Sequence, residues 1–376
     1  MTKACYVGVA GKARKVKKIY TGVANKARKV KKAYVGVGGK ARLFYSAEQK
    51  LSYYGTVTPL SLARGALAAT TVGGYALFGG GYNSDHQPTV DAYSASLVRS
   101  TPTPLSQGRY TLVATTVGDY GLFGGSIAGG EEYPVDAYNT SLVRSTATPL
   151  NPATGGSLAA TTVGNYGLFA IGRANNSSQD GTTVDAYNTS LVRSTATPLG
   201  ETRSDFAATT VGNYGLFGGG LYKYDSSSRV DAYNTSLVRC YAPDLEKERY
   251  DFAATTVGNY GLFGGGKSDL YDYYMSSTVD AYSASLVRST PTELSVARNN
   301  PATTTVGNYG LFGGGYGGGF RNTVDAYDAT LVHSTPTPLS KGASGFAATT
   351  VGNYGLFGGG RNDEGYISRV DAYTVD

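Results

Sequence analysis

The sequence holds no tryptophan and only two histidines, two cysteines and two methionines in 376 residues. Each scarcity closes off a class of chemistry. Cys5 and Cys240 are too few for a disulfide framework and are expected as reduced thiols. His86 and His333 stand far apart with no cysteine near either, so no set of residues has metal-ligand spacing. No stretch approaches the ~18 apolar residues of a helical membrane span. The opening MTKACYVGVAGKARKVKK has no apolar core of a Sec signal. The expectation is a protein made in a cytoplasm which, if it acts outside, leaves by lysis or as part of a particle.

Acidic residues are missing from one region only. Residues 1–45 carry thirteen lysines and arginines and no aspartate or glutamate. The rest of the chain has twenty basic residues against 27 acidic ones. The net charge of +6 therefore averages a strongly basic module with a mildly acidic body. The division is expected at residues 1–46 and 47–376.

What the chain has in plenty is glycine, 53 residues, and tyrosine, 32 residues. That composition suits short strands joined by tight turns. One block recurs: F-A-A-T-T-V-G-N-Y-G-L-F-G-G-G, a variable stretch, V-D-A-Y-N-T-S-L-V-R-S-T-A-T-P-L, and a second variable stretch. Its L-F tract ends at Phe78, Phe123, Phe169, Phe217, Phe263, Phe312 and Phe357, seven copies 45 to 49 residues apart. V-D-A-Y ends at Tyr93, Tyr138, Tyr187, Tyr233, Tyr282, Tyr327 and Tyr373. A period in the forties with four strand-like runs per unit predicts the blades of an all-β, seven-bladed propeller.

In the copy at 206–245, Phe206–Val211 reads as the first strand, and Gly212-Asn213 as a tight turn. Tyr214–Gly219 reads as the second strand and Val230–Tyr233 as the third. Leu237 is expected to begin the fourth. The small Ala and Thr side chains of the first strand suit a crowded position around the axis. The last repeat ends at Tyr373 with no L-V-R run. Leu51–Leu60, L-S-Y-Y-G-T-V-T-P-L, aligns with S-L-V-R-S-T-P-T-P-L, so a strand at about 51–59 is expected to complete the last blade and close the ring.

Arg64, Arg109, Arg203, Arg249 and Arg298 precede first strands, a glycine pair or its relic follows each second strand, and a tyrosine sits in each third. That order resembles the Kelch repeat over residues 51–376. Kelch repeats usually carry a tryptophan in the fourth strand, where this chain has Leu-Val, so the likeness is one of architecture. No Trp-bearing Asp-box of a sialidase is present. A Kelch-type copper oxidase would need histidine and tyrosine ligands around the axis, and none is expected here. The aspartates of V-D-A-Y recur once per blade and are expected to be structural.

Comparison among the copies separates two faces. The turns after the first and third strands scarcely change. The stretches after the second and fourth vary in sequence and length, and antiparallel topology puts both at the same end of the blade. They favour Tyr, Ser, Asn, Asp and Gly, the palette of antibody paratopes. The candidate ligand-binding residues are Tyr82, Tyr110, Tyr222, Tyr224, Tyr250, Tyr271, Tyr273, Tyr274, Tyr316 and Tyr366. Solvated loops drifting freely are the plainer reading. Glu131, Glu132, Asp269 and Asp272 are the only loop acids weighed as an acid/base pair, and no catalytic residue or cofactor is assigned.

Residues 6–47 carry a second repeat of fourteen: YVGVAGKARKVKKI, YTGVANKARKVKKA, YVGVGGKARLFYSA. Ala10-Gly11, Ala24-Asn25 and Gly38-Gly39 read as hairpin turns, giving a small β-meander. Lys12, Arg14, Lys15, Lys26, Arg28, Lys29, Lys40 and Arg42 are candidate attachment residues. The repeat resembles N-terminal K-A-R-K-V-K-K-x-Y-x-G-V repeats of tail-associated proteins of phages and prophages of Gram-positive gut bacteria. That resemblance implies the context of a tail or virion made in a bacterial host, to whose proteins residues 1–46 are expected to attach. The diverse face is then expected to recognise a host-surface glycan or protein, and a homo-oligomer such as a trimer would add avidity. A nucleic-acid-binding surface and a merely solvated face remain alternatives for the basic segment. An intracellular Kelch scaffold and a carbohydrate-active enzyme remain alternatives for the whole.

Overall fold

The structure is a computed structural model. It describes residues 49–125, 133–151, 157–172, 181–222, 225–268 and 274–376, and the backbone of 6–9, 12–15, 20–23, 26–29, 32–37 and 40–46. Every regular element among them is a strand. The chain divides into two compact units, Met1–Lys50 with Asp376, and Leu51–Val375.

The first unit holds three hairpins: Tyr6–Val9 with Lys12–Lys15, Tyr20–Val23 with Lys26–Lys29, and Lys32–Val37 with Lys40–Ser46. The register repeats, with Tyr6 opposite Lys15 and Tyr20 opposite Lys29. Each hairpin is its own two-stranded sheet rather than part of the expected meander. Pairing within each repeat spans the shortest loop and costs the least closure entropy. The turn dipeptides themselves lie outside the described residues.

The second unit is a ring of seven four-stranded antiparallel sheets, the predicted β-propeller. Blade 4 shows the plan. Its strands are Ala207–Val211, Tyr214–Gly218, Val230–Tyr233 and Arg239–Tyr241, paired in that order from the axis outward. Of the Gly212-Asn213 turn only the glycine takes a positive φ, +55°, as at the first position of a type II′ hairpin turn. The outer strand starts two residues later than expected. Leu237 is still in the turn, at a φ of +62°, and Asn234 Oδ1 accepts the N–H groups of Ser236 and Val238. A leucine in this region is strained. What holds it there is packing, since its side chain lies against the core shared by blades 3 and 4. The equivalent leucines in five other blades, from Leu97 to Leu331, do the same.

Adjacent blades share seven apolar clusters. Each second-strand phenylalanine meets the third-strand tyrosine of its own blade edge-on, as Phe263 does Tyr282 at 5.8 Å. In six blades it also lies over a glycine of the preceding blade, and for Phe217 that position is Ala170. A methyl group at Gly218 would stand 3.1 Å from the Phe263 ring. In six of the seven blades the tyrosine hydroxyl donates to a backbone carbonyl of the preceding blade's exit segment, as Tyr327 does to Thr292. Burial and the neighbouring aspartate push all of these tyrosines well above the usual phenol range. Tyr233 has no such partner, and nothing in the structure explains why.

Around the axis the threonines of A-T-T-V close a circle. Thr71, Thr116, Thr162, Thr210, Thr256, Thr305 and Thr350 each donate their hydroxyl to the carbonyl of the corresponding threonine in the preceding blade. Each also accepts a hydrogen bond from a second threonine across a blade boundary, as Thr116 does from Thr70 at 2.8 Å.

The five repeat arginines are completely buried. Arg64, Arg203, Arg249 and Arg298 reach the V-D-A-Y aspartate of their blade through Nη2 at 2.9, 2.6, 2.6 and 2.6 Å, and Arg109 reaches Asp136. The same Nη2 donates to the carbonyl of the second-strand phenylalanine. The other carboxylate oxygen takes an outer-strand group, Arg288 at 2.8 Å in blade 5 and His333 at 2.7 Å in blade 6. The aspartates are therefore the hub of each blade, which explains their recurrence. Burial pushes the Asp325 carboxyl up, but Arg298, the Ser295 N–H and His333 bring it below the usual carboxylate range. Blade 3 has Gly155, and blade 7 Ala343, where the other five have arginine. In blade 3 burial leaves the Asp185 carboxyl raised despite Asn151 and Arg193.

Closure follows the expected route. Leu51–Val57 is the outer strand of blade 7, beside Val370–Val375. The alignment is shifted by one at its start. A bulge leaves Tyr54 unpaired, so that Tyr53 stands opposite Tyr373, where Arg99 stands opposite Tyr93 in blade 1. Gly55, with a φ of +122°, makes the bulge possible.

Candidate functional site

The connections after the second and fourth strands meet on one face. Gly65 bridges Tyr82, Ser204 bridges Leu221, Tyr250 bridges Lys267, Asn299 bridges Tyr316 and Ser344 bridges Arg361. A three-bond frame carries five of the variable stretches. In blade 4 the Gly220 N–H donates to Arg249 O, the Arg249 N–H to Ser227 O, and the Ser227 N–H to Gly220 O. The same frame recurs from Gly81 to Gln87, Gly266 to Ser276, Gly315 to Arg321 and Gly360 to Ile367. On the opposite face constant turns touch, with Gly118 against Thr189 and Gly212 against Ala284.

The structure distributes the candidate tyrosines unevenly. Tyr82 lies at the centre of an aromatic group that spans three blades. Its ring is 5.4 Å from Tyr110, 5.7 Å from His86 and 5.9 Å from Tyr366. His86 and Tyr110 are 4.9 Å apart. Tyr222, Tyr274 and Tyr316 are exposed separately, Tyr274 most of all at 64%, and Tyr316 stands edge-on to Phe320. Tyr250 departs from the expectation. It is 4% exposed because it pairs with Lys267 beneath the surface, with the Lys267 ammonium 5.6 Å from its ring centre. It supports the face and offers no area to a ligand. Tyr224, Tyr271 and Tyr273 lie outside the described residues, as do Glu131, Glu132, Asp269 and Asp272. The side chains of Lys12, Arg14, Lys15, Lys26, Arg28, Lys29, Lys40 and Arg42 lie outside them too, though their strands do not.

Two features of this face escape sequence reasoning. One is a cavity of about 290 Å³ at the axis, walled by the alanines that start the inner strands and by Leu67, Leu112, Phe206 and Phe346. Around its mouth run residues of positive φ: Ala66, Thr111, Asp205, Asp251, Asn300 and Gly345. They are linked blade to blade, as Asn300 N–H to Asp251 O at 2.7 Å and Asp251 N–H to Asp205 O at 3.1 Å. Burial and the nearby Asp251 raise the Asp205 carboxyl, while Lys267 Nζ pairs with Asp251 at 3.1 Å. The other feature is an off-axis cavity of about 270 Å³ beside Tyr222. In sequence the lining of the axial cavity is scattered over the repeats, while that of the off-axis one falls within residues 201–248. No group of three His, Cys, Asp or Glu among the described residues is placed to hold a metal ion.

No protein-family model matches the sequence, and no curated protein does. Among solved structures, one titled "Structure of YjhT" superposes with a TM-score of 0.55 over 85% of this chain and 99% of its own, at 10% identity. A likeness at that identity carries architecture and nothing about ligand or reaction. The chain is, by that likeness and by its own ring of seven four-stranded sheets, a seven-bladed β-propeller.

Proposed function

We propose that this protein is a non-enzymatic binding protein that recognises a host-surface glycan or protein through the variable face of the propeller. In this reading the basic repeat of residues 1–46 attaches it to a phage tail or virion. The observation that carries the reading is the aromatic group of Tyr366, Tyr82, His86 and Tyr110. Four rings from three blades gather on the face whose loops differ from blade to blade, while the opposite face is kept uniform. Aromatic rings give large contact area at low entropy cost. Gathered rings that served only the fold would be expected at equivalent positions in every blade, and these are not.

The attachment half of the reading rests on the resemblance of the basic repeat to tail-associated repeats, and on the concentration of thirteen basic residues with no acidic one in residues 1–45. The test is binding of the full-length protein to intact Gram-positive cells, beside a Tyr82→Ala/Tyr110→Ala/Tyr366→Ala variant. Loss of binding in the variant at unchanged thermal stability supports the reading. Equal binding by both, or binding that vanishes with modest salt for both, would sink it in favour of adhesion by the basic segment.

A further inference from the structure

The axial cavity has a rim whose charge is confined to one side. Ser157 completes that rim in blade 3, accepting the Asp205 N–H through Oγ at 2.8 Å, as Asp205 O accepts the N–H of Asp251. Of the seven rim positions, the residues just ahead of Leu67 and its equivalents, only Asp205 and Asp251 carry charge, and they stand in adjacent blades. Below the rim the wall is made of alanine, leucine, valine, phenylalanine and proline side chains. Its one hydroxyl, that of Thr303, is already given to Ala254 O at 2.6 Å. The side chains of this wall therefore favour an apolar group.

The two rim carboxylates are unequal. Lys267 Nζ pairs with Asp251 at 3.1 Å. Asp205 has no ion-pair partner among the described residues. Its Oδ2 accepts the Ser204 hydroxyl at 3.0 Å, and Lys267 is the smallest of the influences on it. Burial and Asp251 hold its carboxyl above the usual carboxylate range, a burden that a cation at the rim relieves. Asp205 and Asp251 open blades 4 and 5, while aromatic rings flank the rim at blades 7, 1 and 2. A methyl group at Gly65, beside Ala66, would lie 3.3 Å from the Tyr366 ring, and Tyr110 precedes Thr111. Aromatic faces attract cations, as carboxylates do.

We propose that the axial cavity binds an organic cation, an ammonium group carried on a small apolar body. The body enters the alanine-walled cavity, and the charge stays at the rim beside Asp205. A volume of about 290 Å³ lies at the lower edge of small-molecule pockets. An anion there would meet two carboxylates against one lysine and be repelled. A neutral apolar molecule would fill the cavity and leave Asp205 uncompensated. A host-surface glycan or protein bearing such an ammonium group would present it at the centre of the face. The inference rests on the reading of the variable face as a binding face, and names a ligand class for its centre.

The test is titration of the full-length protein, followed by ligand-observed NMR, with three probes of similar size: benzyltrimethylammonium, benzyl alcohol and benzoate. The cation binds, the alcohol binds more weakly, and benzoate does not bind. Asp205→Asn keeps the side-chain shape, weakens the cation roughly tenfold and leaves the alcohol unchanged. Ala160→Leu fills part of the cavity and weakens both, while Asp225→Asn, away from the axis, changes neither. Melting curves show that each variant is folded. Equal or tighter binding of the alcohol or of benzoate overturns the proposal. So does indifference of the cation to Asp205→Asn, or its failure to bind. If the cation fails while whole cells still bind through Tyr82, Tyr110 and Tyr366, this inference falls and the broader reading stands. If cell binding also survives loss of those three tyrosines, both fall.

Discussion

The hydroxyl of Tyr53 donates to Asp371 Oδ1 at 2.7 Å across 318 residues of chain. It fills the place that arginine or histidine takes in the other blades, and it does so at the seam where the two ends of the propeller meet. Burial and Asp371 push the Tyr53 phenol up to about 12. Tyr53→Phe should therefore lower stability by about 1 kcal/mol, the worth of one hydrogen bond, as measured by urea unfolding. A deletion of residues 51–57 should cost far more, because it leaves the third strand of blade 7 as an open edge.

Alkaline pH should weaken the whole ring. A tyrosine whose pKa is higher folded than unfolded stabilises the fold fully below the unfolded value, near 10. That contribution drains as pH rises through the folded value. For Tyr53 the window runs from about 10 to about 12, and the buried third-strand tyrosines extend it upward. Thermal melting at stepped pH checks this, and a melting temperature that stays flat above pH 10 would contradict it.

The buried ion pairs should be sharply unequal. Arg298→Ala leaves Asp325 buried with only His333 and the Ser295 N–H, at a cost of about 3–5 kcal/mol. Arg298→Lys should recover little, since a point charge cannot serve both Asp325 and the Phe312 carbonyl in the guanidinium geometry. The pH signs also differ. The lowered Asp325 supports the fold above the unfolded carboxylate value, and that support is lost as pH falls through the folded value. The raised Asp185 does the opposite, burdening the fold as pH rises through its folded value. Asp185→Asn should accordingly cost much less than Asp325→Asn at pH 7 in chemical denaturation.

Tyr250 and Tyr110 should separate support from contact. Tyr250→Ala removes a buried ring and should destabilise by about 3 kcal/mol. Tyr110→Ala should leave the unfolding midpoint unchanged and weaken cell binding. Parallel melting and binding curves distinguish the two, and a surface phenotype for Tyr250→Ala without loss of stability would show its burial to be wrong.

The blade count, the strand order and the closing strand were all legible in the sequence, because seven near-copies make each turn and each strand repeat its evidence. The register at the seam was not, since Leu51–Leu60 has no sister copy and the bulge at Tyr54 shifts it by one. Leu237 was expected to begin the fourth strand after the Asn234-Thr235-Ser236 turn, but packing across the blade boundary holds it in the turn. Arg64 and its equivalents were visible as a pattern, yet their partner aspartates are 27 to 31 residues away. The candidate tyrosines were chosen by loop composition, which does not reveal which side of a loop is covered. That is why Tyr250 was grouped with Tyr110. The axial cavity depends on how inner strands of different blades approach, and no single repeat encodes that.

The three-bond frame has a consequence for how such a protein can change. From Gly81 to Gln87 the frame closes over a short stretch, and from Gly266 to Ser276 over a longer one, with the same bonds at both ends. The frame therefore works as a socket that accepts inserts of different length. A stretch cut from one of the five blades that carry the frame and spliced into another meets the same fittings, so variable segments can be exchanged among them without rebuilding the ring.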